Sequence, residues 1–155
     1  MGAAPLATIK GGDRVDAYMA KIAKRIGKGG TLRVGFLEGA TYEDETPVAL
    51  IAAIQNFGAP SMGIPPRPFF SNMVASKSAN WGPQLARILA NANNDVERSL
   101  SLMGQGIQKQ LRQAIDDTNE PPLAAATIAR KGFEKPLIDT GHMRMSVDYE
   151  IEVDQ

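Results

Sequence analysis

Apolar residues recur along this chain with two different periods, and the switches between them predict its elements. Thr31-Leu32-Arg33-Val34-Gly35-Phe36-Leu37 alternates with a period of two, which predicts a half-buried strand. A second strand is predicted near the end, where Val147, Tyr149, Ile151 and Val153 face one way and Asp148, Glu150 and Glu152 the other. Between them lies the longest helical period: Trp81, Leu85, Ile88, Ala92, Val96, Leu100, Met103, Ile107, Leu111 and Ile115, in steps of three or four. One helix over those positions would be about 52 Å long, more than a domain of this size needs. Asn91-Ala92-Asn93-Asn94-Asp95 contains weak helix formers that favour caps, so two helices meeting near Asn94 are predicted.

Shorter patterns fill the rest. Residues 1–12 read as a flexible arm. Asp13 caps a helix to about Lys28, with Val15, Tyr18, Met19, Ile22 and Ile26 as its apolar stripe and Lys21, Lys24 and Arg25 on the wet side. Gly27-Lys28-Gly29-Gly30 stops it, without the spacing or Lys-Ser/Thr ending of a phosphate loop. Thr46-Pro47 predicts the start of a helix through Asn56, by a hydroxyl cap followed by proline at the first helical position. That helix is apolar nearly all round, at Val48, Leu50, Ile51 and Ile54, which predicts burial, and Gly58 is its C-terminal cap. Pro60, Pro65, Pro66 and Pro68 stiffen an extended segment that delivers Phe69 and Phe70. A short helix is expected over residues 123–131, stopped by Gly132.

These elements define an α+β fold: a small twisted, largely antiparallel sheet packed on several helices, including a long helix or helix pair at about 81–116. Residues 13–155 form one domain in this reading. Two strands do not make a stable sheet by themselves. Either a third lies in a segment that reads as loop, or neighbouring copies complete the sheet.

Composition narrows the function. Apolar residues make up 43% and charged residues 22%, an ordinary globular balance. Lys+Arg and Asp+Glu are 17 each, so no net positive field draws the chain to nucleic acid or an anionic membrane. The charge is nevertheless uneven. Residues 10–33 carry seven basic and two acidic side chains, whereas residues 34–63 hold Glu38, Glu43, Asp44 and Glu45 with no base. Cysteine is absent, which removes thiol chemistry and disulfides, and with His142 as the one histidine a structural zinc site is not expected. No apolar run reaches membrane-spanning length, and the start of the chain lacks a signal-peptide core, so a cytosolic origin is expected.

The chemically suggestive residues weigh little. Leu137-Ile138-Asp139-Thr140-Gly141 has the form in which an aspartic protease presents its carboxylate. Such a site needs extensive β-structure after the turn, yet 14 residues follow Gly141 and most of the upstream chain reads as helix. A cap at Asp139 or Thr140, starting a short helix through Ser146 with Gly141 easing the turn, is the better reading. His142 has no recognisable nucleophile signature beside it, and Glu43-Asp44-Glu45 reads as a solvated loop before it reads as a cation site. Neither a catalytic residue nor a metal or other cofactor is expected. Arg67, held among prolines and followed by Phe69 and Phe70, suits an interface, with the phenylalanines inward and Arg67 outward.

Two blocks carry a resemblance. Val34-Gly35-Phe36, Tyr42, Thr46-Pro47-Val48-Ala49, Ile51-Ala52 and Asn56-Phe57-Gly58, then Pro65-Pro66-Arg67-Pro68-Phe69-Phe70, form the first. Met103-Gly104, Ile107-Gln108, Pro121-Pro122-Leu123, Thr127, Lys131-Gly132, Lys135-Pro136-Leu137-Ile138-Asp139-Thr140-Gly141, Ser146-Val147 and Tyr149-Glu150 form the second. In order and spacing, over about residues 32–153, they resemble the virion-morphogenesis proteins of tailed bacteriophages, which include neck and tail-completion subunits. The resemblance implies a small α+β structural subunit without catalytic residues. It would assemble with itself as a ring, a hexamer by family likeness, where the tail joins the head. Expected partners are a tail terminator, tail tube or head–tail connector protein, with passive DNA contact in the lumen and no membrane. A tail terminator or other minor tail protein is the alternative station, and an aspartic-type protease a remote one. The expected interface is Pro66, Arg67, Phe69, Phe70, Val147, Tyr149 and Ile151.

Overall fold

A computed structural model describes residues 27–118 and 141–155, together with positions 17, 20 and 21. The arm at 1–12, most of the helix expected from Asp13, the helix expected at 123–131, and Asp139 and Thr140 lie outside the described residues. In chain order the elements are β1 (Gly30–Phe36), α1 (Val48–Phe57), a 3₁₀ turn (Pro60–Met62), α2 (Phe69–Asn91), α3 (Val96–Asp117), α4 (His142–Met145) and β2 (Val147–Val153). The fold is α+β, as the alternation of periods predicts.

The two strands pair antiparallel, from Gly30 opposite Val153 to Phe36 opposite Val147. Their apolar sides lie on α3, which packs along both strands and also against α2. On the opposite face Arg33 reaches Glu150 at 3.3 Å and Glu152 at 3.2 Å, an exposed arrangement worth only about 0–1 kcal/mol. The main core gathers Val48 and Ala52 of α1, Phe69 and Met73 of α2, Leu111 and Ile115 of α3, Met143 and Val147. Leu100, Met103 and Ile107 continue the buried stripe of α3.

Gly104 is where helix and sheet come closest. A Cβ there would lie 2.5 Å from the Tyr149 ring and 3.0 Å from Leu32, so only hydrogen fits. The ring seats on the bare backbone, and the Tyr149 hydroxyl meets Ser101 Oγ at 3.1 Å and Gln105 Nε2 at 3.5 Å. Gln108 Nε2 and Arg112 Nη2 donate to the Val147 carbonyl at 2.9 and 3.0 Å, tying the same helix to the start of β2.

The helix pair meets where the sequence places the break. Asn93 and Asn94 adopt positive φ, a conformation asparagine tolerates better than most residues, and Asp95 caps α3 by accepting from the Arg98 N–H at 3.0 Å. Trp81 Nε1 donates to Gln110 Oε1 at 2.8 Å and cross-ties the two helices.

Four expectations need correction. First, α2 begins at Phe69 rather than Trp81. Its first half is rich in serine and asparagine, which hides it, and Phe69 and Met73 alone among its residues are fully inside. Pro83 sits within it, but both Pro83 and Ala79, whose carbonyl it deprives of a donor, face solvent. Second, Pro47 stands at the N-cap of α1 rather than at its first helical position, and the hydroxyl of Thr46 does not cap it. The Thr46 N–H instead donates to Asp44 Oδ1 at 3.1 Å. Third, the proline segment opens with a 3₁₀ turn before extending. Fourth, α4 has Gly141 at its N-cap, with φ of 75°, a position suited to glycine.

Candidate interaction surface

Arg67 is the residue whose placement departs furthest from expectation. It is buried, not outward, at 6% exposure. Its backbone N–H donates to the Gln55 carbonyl at 2.7 Å and its Nη1 to Gln55 Oε1 at 3.3 Å. Burial pushes its guanidinium pKa below the usual value, since desolvation disfavours the cation. Proline on either side fixes an extended backbone, and that backbone lays Arg67 along the C-terminal half of α1.

One residue after Gln55, Asn56 completes the clamp. Its Oδ1 accepts from the N–H groups of Phe70 and Ser71, both at 3.1 Å, and its Nδ2 donates to Ser71 Oγ at 2.8 Å. Pro68, at the N-cap of α2, offers no side-chain cap, so Asn56 supplies it from a different helix. Gly58 makes the intervening turn possible: its φ is 76°, and a Cβ would lie 2.8 Å from Pro66 N. The Asn-Phe-Gly and Pro-Arg-Pro-Phe-Phe motifs are thus two sides of one internal joint.

The remaining candidate residues divide by exposure. Phe69 and Val147 are fully enclosed, Phe69 edge-on to Phe36 and Phe70. Phe70, Tyr149 and Ile151 are half-buried and Pro66 is exposed. Hydrogen bonds from Ser101 and Gln105 hold the Tyr149 phenol below its ordinary pKa by favouring the phenolate. The structure brings Pro66, Arg67, Phe69 and Phe70 together at the joint and places Tyr149 and Ile151 on β2, over α3. It does not join them into one outward surface.

An outward apolar surface lies on α1 instead, contrary to the burial expected of that helix. Val48, Ala52 and Asn56 are its buried residues. Leu50 is 52% exposed and Phe57 73%, with Ala53 exposed between them on the same stripe. Met62, in the 3₁₀ turn that follows, is 68% exposed. No residue of α1 is charged, and its two polar side chains, Gln55 and Asn56, are engaged internally. The acidic loop precedes it, with Glu43, Asp44 and Glu45 all exposed. The Thr46 N–H holds the Asp44 carboxyl below its usual pKa.

A groove of about 630 Å³ opens between α2 and α3. Met73, Gly106 and Ala114 contribute to its apolar lining, Lys77 and Lys109 stand at it as exposed cations, and Asp117 is the acid in the same lining. Neither lysine forms an ion pair with a described residue.

His142 Nε2 donates to the Thr41 carbonyl at 2.8 Å, and its ring leans on Tyr42, with centroids 4.8 Å apart. That contact holds the loop after β1 against α4. Among the described residues no three His, Asp or Glu side chains cluster to hold a metal, and no helix is long and apolar enough to cross a membrane. No family model matches the chain, nor does any curated protein or solved structure.

Proposed function

We propose that this chain is a structural subunit of a tailed-phage virion, a ring-forming tail-completion or neck protein at the head-to-tail junction. The motif resemblance suggests the setting. The observation that carries an assembly role is the outer face of α1, where Leu50 and Phe57 stand in solvent on a helix without a charged residue. Large exposed apolar patches on otherwise soluble surfaces mark protein contacts. The described part of the sheet supports the same reading, since two strands carry two unpaired edges that a neighbour can extend. In this role Arg67, Asn56 and Tyr149 set the shape of the subunit, and α1 presents it to neighbours. The protein does no chemistry.

The test is particle assembly in the absence of the chain. Phage lacking it should accumulate filled heads and free tails, and purified protein should restore joining. Infectious particles assembled without it would overturn the proposal.

A further inference from the structure

Two surfaces of this chain complement each other, and we propose that they meet between copies: the outer face of α1 on one molecule seats in the α2–α3 groove of the next. This deepens the assembly reading above and rests on it for its setting. On one side stand Leu50, Ala53 and Phe57, spaced three and four residues apart, with Met62 beyond them. On the other is a groove with Met73 and Ala114 in its apolar lining. Gly106 leaves the wall of α3 bare there, for a Cβ added to it would meet nothing within 4 Å. A helix can therefore approach closely.

Charge selects this pairing over the symmetric ones. Glu43, Asp44 and Glu45 precede α1, and residues 34–63 contain no base to neutralise them. Lys77 and Lys109 stand at the groove without ion pairs to described residues, against one acid, Asp117, in the same lining. Seating α1 in the groove brings acids toward lysines. Pairing α1 with α1 would oppose two acidic loops, and pairing groove with groove would oppose the lysines, so both symmetric arrangements work against like charge. Because helix and groove are different surfaces, the contact is head-to-tail. Such a contact makes a ring when the rotation closes and a filament when it does not.

The experiment uses sedimentation velocity on the full chain and two variants. One is Leu50→Ser with Phe57→Ser, which removes the apolar face. The other is Gly106→Glu with Lys109→Glu, which fills the groove and reverses its charge. All four positions are exposed, so circular dichroism and melting should match the parent. The parent is expected to self-associate with rising concentration, and each variant to do so at least about tenfold more weakly. Mixed together, the variants should form a one-to-one heterodimer, since the intact groove of the first accepts the intact helix of the second and growth is then capped. A parent that stays monomeric, variants that associate like the parent, or a mixture that stays monomeric would each overturn the contact. Should either variant melt early, the charge exchange decides instead: Lys77→Glu with Lys109→Glu weakens association, and mixing with Glu43→Lys, Glu45→Lys restores it. Failure of that rescue counts against the contact. Variants that associate like the parent would leave the ring reading standing on another surface. Phage that assembles without the chain would remove that reading and leave the measured contact untouched.

Discussion

Helices α1 and α3 both flank the core, and they treat solvent in opposite ways. α3 buries Leu100, Met103, Ile107, Leu111 and Ile115 on one side. Its other sides carry Glu97, Arg98, Lys109 and Asp117, with Leu102 as the large apolar exception at 45% exposure. α1 buries Val48 and Ala52 and then turns Leu50 and Phe57 outward with no charge anywhere along it. The amphipathic helix is complete within one molecule. The uncharged one leaves Leu50 and Phe57 in solvent, and that difference separates the residues that make the fold from those open to a partner.

The largest effect should come from breaking the side that is complete. Leu111 is fully buried, so Leu111→Ala should cost about 2–5 kcal/mol, read by chemical denaturation. The two glycines of α3 sharpen the same side and should respond with opposite sign. Gly104→Ala drives a methyl into the Tyr149 ring and should destabilise by about 1–3 kcal/mol. Gly106→Ala meets open space and should stabilise by up to about 1 kcal/mol through helix propensity. Equal effects at both would mean that the ring does not seat on α3. On the exposed side, Leu50→Ser with Phe57→Ser should change stability of the dissociated chain by no more than about 0.5 kcal/mol per site. A loss of several would show that α1 is buried after all.

The smallest effect concerns the loop before α1. The Asp44 carboxyl has its pKa depressed by the Thr46 N–H, from an ordinary 3.8. A depressed folded-state value means that the contribution is fully present above the ordinary value and is lost as pH falls through the depressed one. Asp44→Asn should therefore leave melting at neutral pH nearly unchanged and slightly flatten the acid limb of the melting-temperature profile. An identical acid limb in parent and variant would remove Asp44 as an anchor of the loop.

Much of this architecture is legible in the sequence because it rests on local period. The alternation at Leu32, Val34 and Phe36, the same alternation at Val147, Tyr149 and Ile151, and the stripe ending at Ile115 each encode which side is buried. The break at Asn93 and Asn94 is legible because asparagine accepts positive φ. The misreadings share a different cause, which is dependence on a distant partner. Arg67 reads as outward because a guanidinium is usually solvated, and nothing near it reveals that Gln55 will receive it. Asn56 reads as the end of a helix, whereas it caps the next one. Phe69 begins a helix whose sequence turns polar after its opening residues and whose cap, Asn56, lies thirteen positions upstream. The exposed face of α1 is hardest of all. An uncharged helix predicts burial, and its sequence does not say whether the cover comes from its own chain or from another.

The most direct measurement of that cover exploits the absence of cysteine from the chain. Phe57→Cys in one preparation and Gly106→Cys in another supply one thiol each, and a disulfide requires their Cα atoms to come within about 4.4–6.8 Å. Mixed under mild oxidation, the two should cross-link to one another faster than either does to itself, and the link should map to α1 of one molecule and α3 of its neighbour. Cross-links in random proportion, or none at concentrations where the parent chain associates, would contradict the claim that α1 is covered by the groove of a second copy.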